Sequence, residues 1–211
     1  MAEDERRQVT VVEIETPQGV ARTHMHPVEE QRATLVLGHG AGGGVEAPDL
    51  QAAAEAARAE GCGVVLLEQP YRVAGRRSPA RAPQLDAAWI AVVDRLRAAE
   101  EADLPLVVGG RSLGARVACR TAEEVGAVAV LCLAFPLEPP ARTGKPRVSR
   151  LGELDAVSVP TLVVQGERDP FGMPPPSTTR RVVQVPGDHG LKADLGAVAA
   201  AIRSWLPGVI G

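Results

Sequence analysis

Leu104-Pro-Leu-Val-Val-Gly-Gly-Arg-Ser-Leu-Gly114 is the stretch that decides how this 211-residue chain reads. An apolar run over residues 104–108 ends in two glycines, and the pattern G-x-S-x-G then spans Gly110 to Gly114. Residues 112–124 read as a helix. A serine on a sharp strand-to-helix turn takes strained dihedrals, and small neighbours let the turn close. Gly110 and Gly114 supply them, which sets the Ser112 hydroxyl above the end of a sheet. The helix start offers free N–H groups and partial positive charge to a developing anion. Taken alone, the motif also has a plainer reading, a serine N-cap between glycines.

Upstream and downstream, the pattern is a hairpin followed by alternating strands and helices. Residues 9–14 and 20–24 read as two strands around the turn Pro17-Gln18-Gly19. Apolar strand runs follow at 33–37, 63–67, 104–108 and 128–133, with the last two strands at 161–164 and 182–185. Helices are expected at 49–60, stopped by Gly61, then at 84–100, 112–124 and 193–205. Residues 70–83 and 136–158 read as loops, the second with a short helix near 151–154. Strands without polar alternation belong to a sheet covered on both faces. The expectation is an α/β fold: a mostly parallel, doubly wound sheet with an antiparallel N-terminal hairpin and no large cap. One domain over residues 1–211 is expected.

Ligands of such sheets bind at the C-terminal ends of the strands. Gln165-Gly-Glu-Arg-Asp-Pro170 follows one late strand, and Pro186-Gly-Asp-His-Gly190 follows the next. A carboxylate and a histidine therefore trail the serine in the order Ser112, Asp169, His189. A serine hydroxyl is a poor nucleophile; a histidine takes its proton, and a carboxylate fixes the imidazole tautomer. Of the four histidines (His24, His26, His39 and His189), only His189 lies downstream of Ser112. Asp169 is the chosen acid. Glu167 and Asp188 are nearby alternatives, but Asp188 adjoins His189 in sequence, a poor geometry for pairing with its ring.

Gly38-His39-Gly40-Ala41-Gly42-Gly43-Gly44 directly follows the strand at 33–37. Glycines let backbone N–H groups approach a substrate oxygen, as in an oxyanion loop. The expected donors are the amides of Ala41 and Leu113, with Gly42 the rival of Ala41. His39, Gly40, Gly42 and Arg111 are expected beside the substrate, His39 as a structural residue orienting the loop. The same stretch fits a dinucleotide fingerprint, with Gly38, Gly40 and Gly43 as G-x-G-x-x-G and Glu68 ending the next strand. That reading leaves Ser112, Asp169 and His189 unexplained.

At this point the residues resemble a known family, the small α/β-hydrolases related to dienelactone hydrolases. The chain is similar to the capless group that includes testis-expressed and NSL-complex-subunit-like proteins. The resemblance rests on His39-Gly-Ala-Gly-Gly43, Gly109-Gly-Arg-Ser-Leu-Gly-Ala-Arg116, Phe135-Pro-Leu137, Gln165-Gly-Glu-Arg-Asp-Pro-Phe-Gly172 and Gly187-Asp-His189. It implies a lidless hydrolase using Ser112, Asp169 and His189. Dienelactone hydrolases carry a cysteine nucleophile, and position 112 is serine here.

Composition narrows the alternatives. Hydrophobic residues make up 45% and charged residues 23%, ordinary globular usage. The net charge of −3 gives no field to hold a nucleic-acid backbone. Aromatics at 2% disfavour a base-stacking platform. Cys62, Cys119 and Cys132 sit in apolar runs with no C-x-x-C pair and read as buried small hydrophobes. The charged start, Met-Ala-Glu-Asp-Glu-Arg-Arg, lacks the apolar stretch of a secretory signal. No run approaches the about 20 residues of a membrane helix. The expected protein is a cytoplasmic enzyme that cleaves a small-molecule ester or thioester. It calls for no cofactor, metal, nucleic acid or membrane. The alternative is a hydrolase-fold binding or scaffold protein with a vestigial site. Arg111 and Arg116 flank the serine turn and read as ion pairs bracing it, or, for Arg111, as a hold on a substrate carboxylate. Arg72, Arg76 and Arg77 read as a solvated loop.

Overall fold

The computed structural model describes residues 9–99, 104–139 and 148–211. Glu100, at the end of the helix expected over residues 84–100, the charged first seven residues and part of the 136–158 loop lie outside the described residues. The strands are β1 (Thr10–Thr16), β2 (Gly19–His26), β3 (Ala33–Gly38), β4 (Cys62–Glu68), β5 (Leu106–Arg111), β6 (Ala129–Leu133), β7 (Thr161–Gly166) and β8 (Arg180–Val185). The helices are α1 (Pro48–Ala59), α2 (Pro70–Val73), α3 (Ala82–Arg97), α4 (Leu113–Thr121), α5 (Leu151–Asp155), α6 (Leu195–Trp205) and α7 (Pro207–Ile210).

The eight strands form one sheet in the order β1-β2-β4-β3-β5-β6-β7-β8. β1 with β2 and β2 with β4 run antiparallel. Every pair from β4 across to β8 is parallel. This is the expected α/β sheet with an antiparallel N-terminal edge, and its alternation of side chains explains the unbroken apolar runs. Val36, Val65, Val108, Val130 and Val163 face one layer with Trp89 and Val92 of α3 and Val117 of α4. Leu35, Leu37, Leu66, Leu131, Leu133 and Leu162 face the other with Leu50 and Ala53 of α1 and Ile202 of α6. Each fully buried valine, leucine or isoleucine among them contributes about 1.5–3 kcal/mol.

The element ends depart from the sequence reading for local reasons. β5 begins later and runs on to Arg111, because Gly109, Gly110 and Arg111 stay in register with Leu131, Cys132 and Leu133. α4 starts at Leu113, since Ser112 has φ 51° and ψ −101°, outside the helical region. α6 starts at Leu195, where the Asp194 carboxylate accepts from the Ala197 amide at 2.8 Å and caps the helix. The loop at 70–83 contains α2, which opens on Pro70, a residue suited to a first helical turn.

The serine turn depends on one backbone-to-backbone approach. A Cβ on Gly114 would lie 2.2 Å from the Gly38 oxygen, and one on Gly110 would lie 2.4 Å from it. The start of α4 therefore rests directly on the end of β3, a separation no larger residue permits. Gly114→Ala is expected to lower stability by about 1–3 kcal/mol or to prevent folding. Gly152→Ala in α5 meets nothing within 4 Å and is expected to be neutral or slightly stabilising. Urea midpoints of the two variants against the parent chain check both.

Candidate active site

Three side chains from three strand ends meet above the sheet. Ser112 sits on the turn between β5 and α4, its amide donating to the Leu133 carbonyl at 2.9 Å. His189 lies in the turn after β8, and its Nε2 is 2.9 Å from Ser112 Oγ. Its Nδ1 is 2.8 Å from Asp169 Oδ2, in the loop after β7. With Asp169 ionised, Nδ1–H donates to the carboxylate and leaves the Nε2 lone pair to accept from the serine hydroxyl.

Asp169 is almost wholly buried, its side chain 1% exposed against 19% for His189. A buried carboxylate needs donors. Besides His189, it receives the Phe171 amide at 2.9 Å and Gln165 Nε2 at 2.8 Å. Gln165 Nε2 also reaches the carbonyls of Phe135 at 3.0 Å and Gly172 at 2.9 Å, so it ties β7 to the loop after β6. The Phe171 ring lies 4.4 Å from the His189 ring, tilted by 41°. Glu167 and Asp188 are exposed. Asp188 accepts from the Gly190 amide at 2.8 Å and so closes its own turn.

The glycine-rich loop after β3 is held from beneath. His39 is buried; its Nδ1–H donates to the Gly40 carbonyl at 2.8 Å, and its Nε2 accepts the Gln69 amide at 3.1 Å. Tyr71 donates its hydroxyl to the Ala41 carbonyl at 3.2 Å. The Gly43 amide closes on the Gly40 carbonyl at 3.3 Å, which makes Ala41 and Gly42 the central residues of a turn. Leu113 is the first residue of α4, where helical geometry gives its amide no intrahelical acceptor. Burial lowers the His39 pKa below the ordinary histidine value, opposed by the bond to Gly40. Both ring nitrogens are used in the neutral form.

Arg111 Nε lies 2.9 Å from Asp49 Oδ2 at the start of α1, and its Nη2 donates to the His189 carbonyl at 3.0 Å. Burial pushes the Asp49 carboxyl up from its ordinary value, against the pull of Arg111. Arg116 clasps Glu153 of α5 through two bonds, at 2.8 and 2.5 Å. Glu68, the acid of the dinucleotide reading, lies 3.2 Å from His24 Nε2 and 3.7 Å from Arg22 on β2. Arg76 and Arg77 are exposed.

Sequence reasoning passed over Gln165, Phe171, Tyr71 and Asp49. Gln165 carried a signal: it is a polar residue closing an otherwise apolar strand, four positions before Asp169. Asp49, next to Pro48 at a helix start, had a sufficient local explanation as an acid near a helix dipole.

Residues 31–193 match the family model of the alpha/beta hydrolase domain. The chain belongs to that family. Among solved structures, this alpha/beta hydrolase is similar to a serine hydrolase without a lid from Xanthomonas campestris. Identity there is 22% over 95% of this chain and 96% of that one, with a TM-score of 0.74. A dienelactone hydrolase from Anabaena variabilis is 18% identical over 97% and 99%, with a TM-score of 0.76. An esterase from Pyrococcus furiosus is 15% identical over 100% and 94%, with a TM-score of 0.75. No curated protein matches the sequence. Among the described residues, no helix of this alpha/beta hydrolase is long and apolar enough to cross a membrane.

The buried histidine gives a pH prediction. The His39 pKa lies below its unfolded value of about 6.5, and His26 is lowered in the same direction, by partial burial. The unfolded chain then binds more protons, so stability is full above about pH 6.5 and is lost as pH falls below it. Melting temperature is expected to drop between pH 7 and pH 5, and the slope is expected to be shallower in His39→Gln. Calorimetry across that range tests it; an unchanged slope in the variant counts against a neutral His39.

Proposed function

We propose that this alpha/beta hydrolase is a serine hydrolase that cleaves a small carboxylic ester or thioester through an acyl-enzyme. The observation that carries the reading is the unbroken hydrogen-bonded chain Ser112–His189–Asp169. It couples a hydroxyl to a base and the base to a buried carboxylate, the arrangement that nucleophilic acyl transfer needs. The similarity to a lidless serine hydrolase and to an esterase supports it. So does the resemblance to the capless group with testis-expressed and NSL-complex-subunit-like members. We read residues 1–211 as a single catalytic unit. The free, buried cysteines Cys62, Cys119 and Cys132 suit a reducing compartment, and the cytoplasm is the proposed setting.

Ser112 Oγ attacks the carbonyl carbon while its proton passes to His189 Nε2. Asp169 stabilises the imidazolium and keeps its Nδ1–H directed. The carbonyl oxygen becomes an oxyanion, received by the amides of Ala41 and Leu113. Each such donor is worth about 3 kcal/mol of transition-state stabilisation. On collapse the C–O or C–S bond breaks, and His189 returns the proton to the departing alkoxide or thiolate. Water then attacks the acyl-serine with His189 again as base, releasing the acid and restoring the Ser112 hydroxyl. His39 takes no proton in this scheme, because both its nitrogens are engaged beneath the loop.

Two variants test the reading. Ser112→Ala is expected to abolish labelling by a fluorophosphonate probe and turnover of p-nitrophenyl esters, screened from acetate to longer chains. A folded parent chain that neither labels nor turns over any ester would refute the proposal and favour a binding role. Asp169→Asn is expected to lower kcat by about 10⁴-fold with the fold intact, because the wrong histidine tautomer is then held. Near-parental turnover in that variant moves the acid to another carboxylate.

A further inference from the structure

We propose that Arg111 is a positioning residue, whose guanidinium fixes the His189 loop against the glycine-rich loop and α1 and so sets the distance from His189 Nε2 to Ser112 Oγ. The proposal rests on the serine-hydrolase reading and assigns Arg111 a role no substrate contact requires.

The backbone of Arg111 is locked in the sheet, paired with Leu133. From that fixed base its side chain extends to three separate segments. Nε stands 2.9 Å from Asp49, whose side chain is 1% exposed. Nη2 donates to the carbonyl of His189 itself at 3.0 Å. The third segment is Gly40, where a Cβ would lie 2.6 Å from Nη1, so the guanidinium passes close against the glycine loop.

The His189 loop needs such a tether. Gly187 takes φ +114° and Leu191 φ 49°, and Gly190 adjoins the histidine. Two of its hydrogen bonds close the loop on itself: the Leu191 amide to the Asp188 carbonyl, and the Gly190 amide to the Asp188 side chain. The Gly187 carbonyl accepts the Arg168 amide, from the β7 side. Arg111 supplies a hold from the β5 side, one residue before Ser112. Nucleophile and base are thus referenced to a single strand end. A guanidinium suits the task because it spreads its charge toward Asp49 while a donor of fixed direction engages the His189 carbonyl, whereas a lysine ammonium is a single point charge. The buried Asp49 carboxylate attracts the guanidinium by charge at 2.9 Å from Nε, and Nη2 makes the directed bond to the His189 carbonyl. Buried ion pairs are weak evidence for stability, and the role assigned to this one is to fix geometry.

The test is a kinetic cycle on p-nitrophenyl acetate with Arg111→Lys, His189→Ala and their combination. Arg111→Lys keeps a cation for Asp49 and loses the second arm. Its kcat is expected to fall at least roughly tenfold with KM within about twofold, as for a misplaced catalytic group. In the His189→Ala background the same change is expected to alter residual turnover by less than about twofold, because the residue it positions is gone. Asp49→Asn/Arg111→Met, which leaves no lone buried charge, is expected to fold and to show the same kcat loss should Arg111→Lys not fold. Equal losses in both backgrounds, or a rise in KM with kcat retained, would overturn the proposal. Parental kcat in Arg111→Lys beside an inactive His189→Ala overturns it alone. Parental turnover in His189→Ala overturns the serine-hydrolase reading with it.

Discussion

The contact between the end of β3 and the start of α4 is the constraint on which the rest of the site depends. Gly38, Gly110 and Gly114 let two backbones approach to a distance that any side chain forbids. Only then can Ser112 occupy φ 51° at the head of α4. A non-glycine residue in that region is strained, and strain persists only where the surroundings over-determine it. Here β5 is fixed between β3 and β6, α4 is packed through Ala115, Val117 and Ala118, and the Ser112 amide is tied to Leu133. The core holds the turn, and the turn holds the hydroxyl in the open.

The same economy runs through the polar groups behind the site. Asp169, Gln165, His39 and Asp49 are all buried. The bonds of Asp169, Gln165 and His39 link the segments after β3, β4, β6, β7 and β8, which are also anchored by buried side chains such as Val45, Tyr71, Phe135 and Leu191. A carboxylate in such a place is costly to leave unpaired, so the arrangement of its donors is narrowly defined. Precision at the strand ends comes from directional bonds, while stability comes from the two hydrophobic layers below.

Much of this was legible in the chain. A sheet covered on both faces leaves uninterrupted apolar runs, so the strands declared themselves. Ser112, Asp169 and His189 each follow such a run, and few residue types can form a hydroxyl–imidazole–carboxylate chain, so their meeting could be expected from order. Element ends were less so. β5 outlasted its apolar run because backbone pairing with β6 does not require a side chain, and glycines remain in the ladder. The sequence reading took that glycine pair as the end of the strand. α6 began later than its apolar pattern because Asp194 could cap it.

The supporting residues were hidden for a different reason. Asp49 and Arg111 are distant in the chain, and each has an adequate local account: an acid at a helix start, a base beside a turn. Nothing in periodicity or composition says that the two accounts share one ion pair. Gln165 is similar, since a polar residue at a strand end is ordinary until its amide is seen between Asp169, Phe135 and Gly172. Chemistry constrains the residues that react, and therefore leaves a trace at single positions. Positioning constrains only the relation between segments, and many residue pairs satisfy it. A reading of one sequence thus reaches the hydroxyl, imidazole and carboxylate that meet before it reaches the groups packed around them, whose relation becomes visible only when the loops are placed side by side.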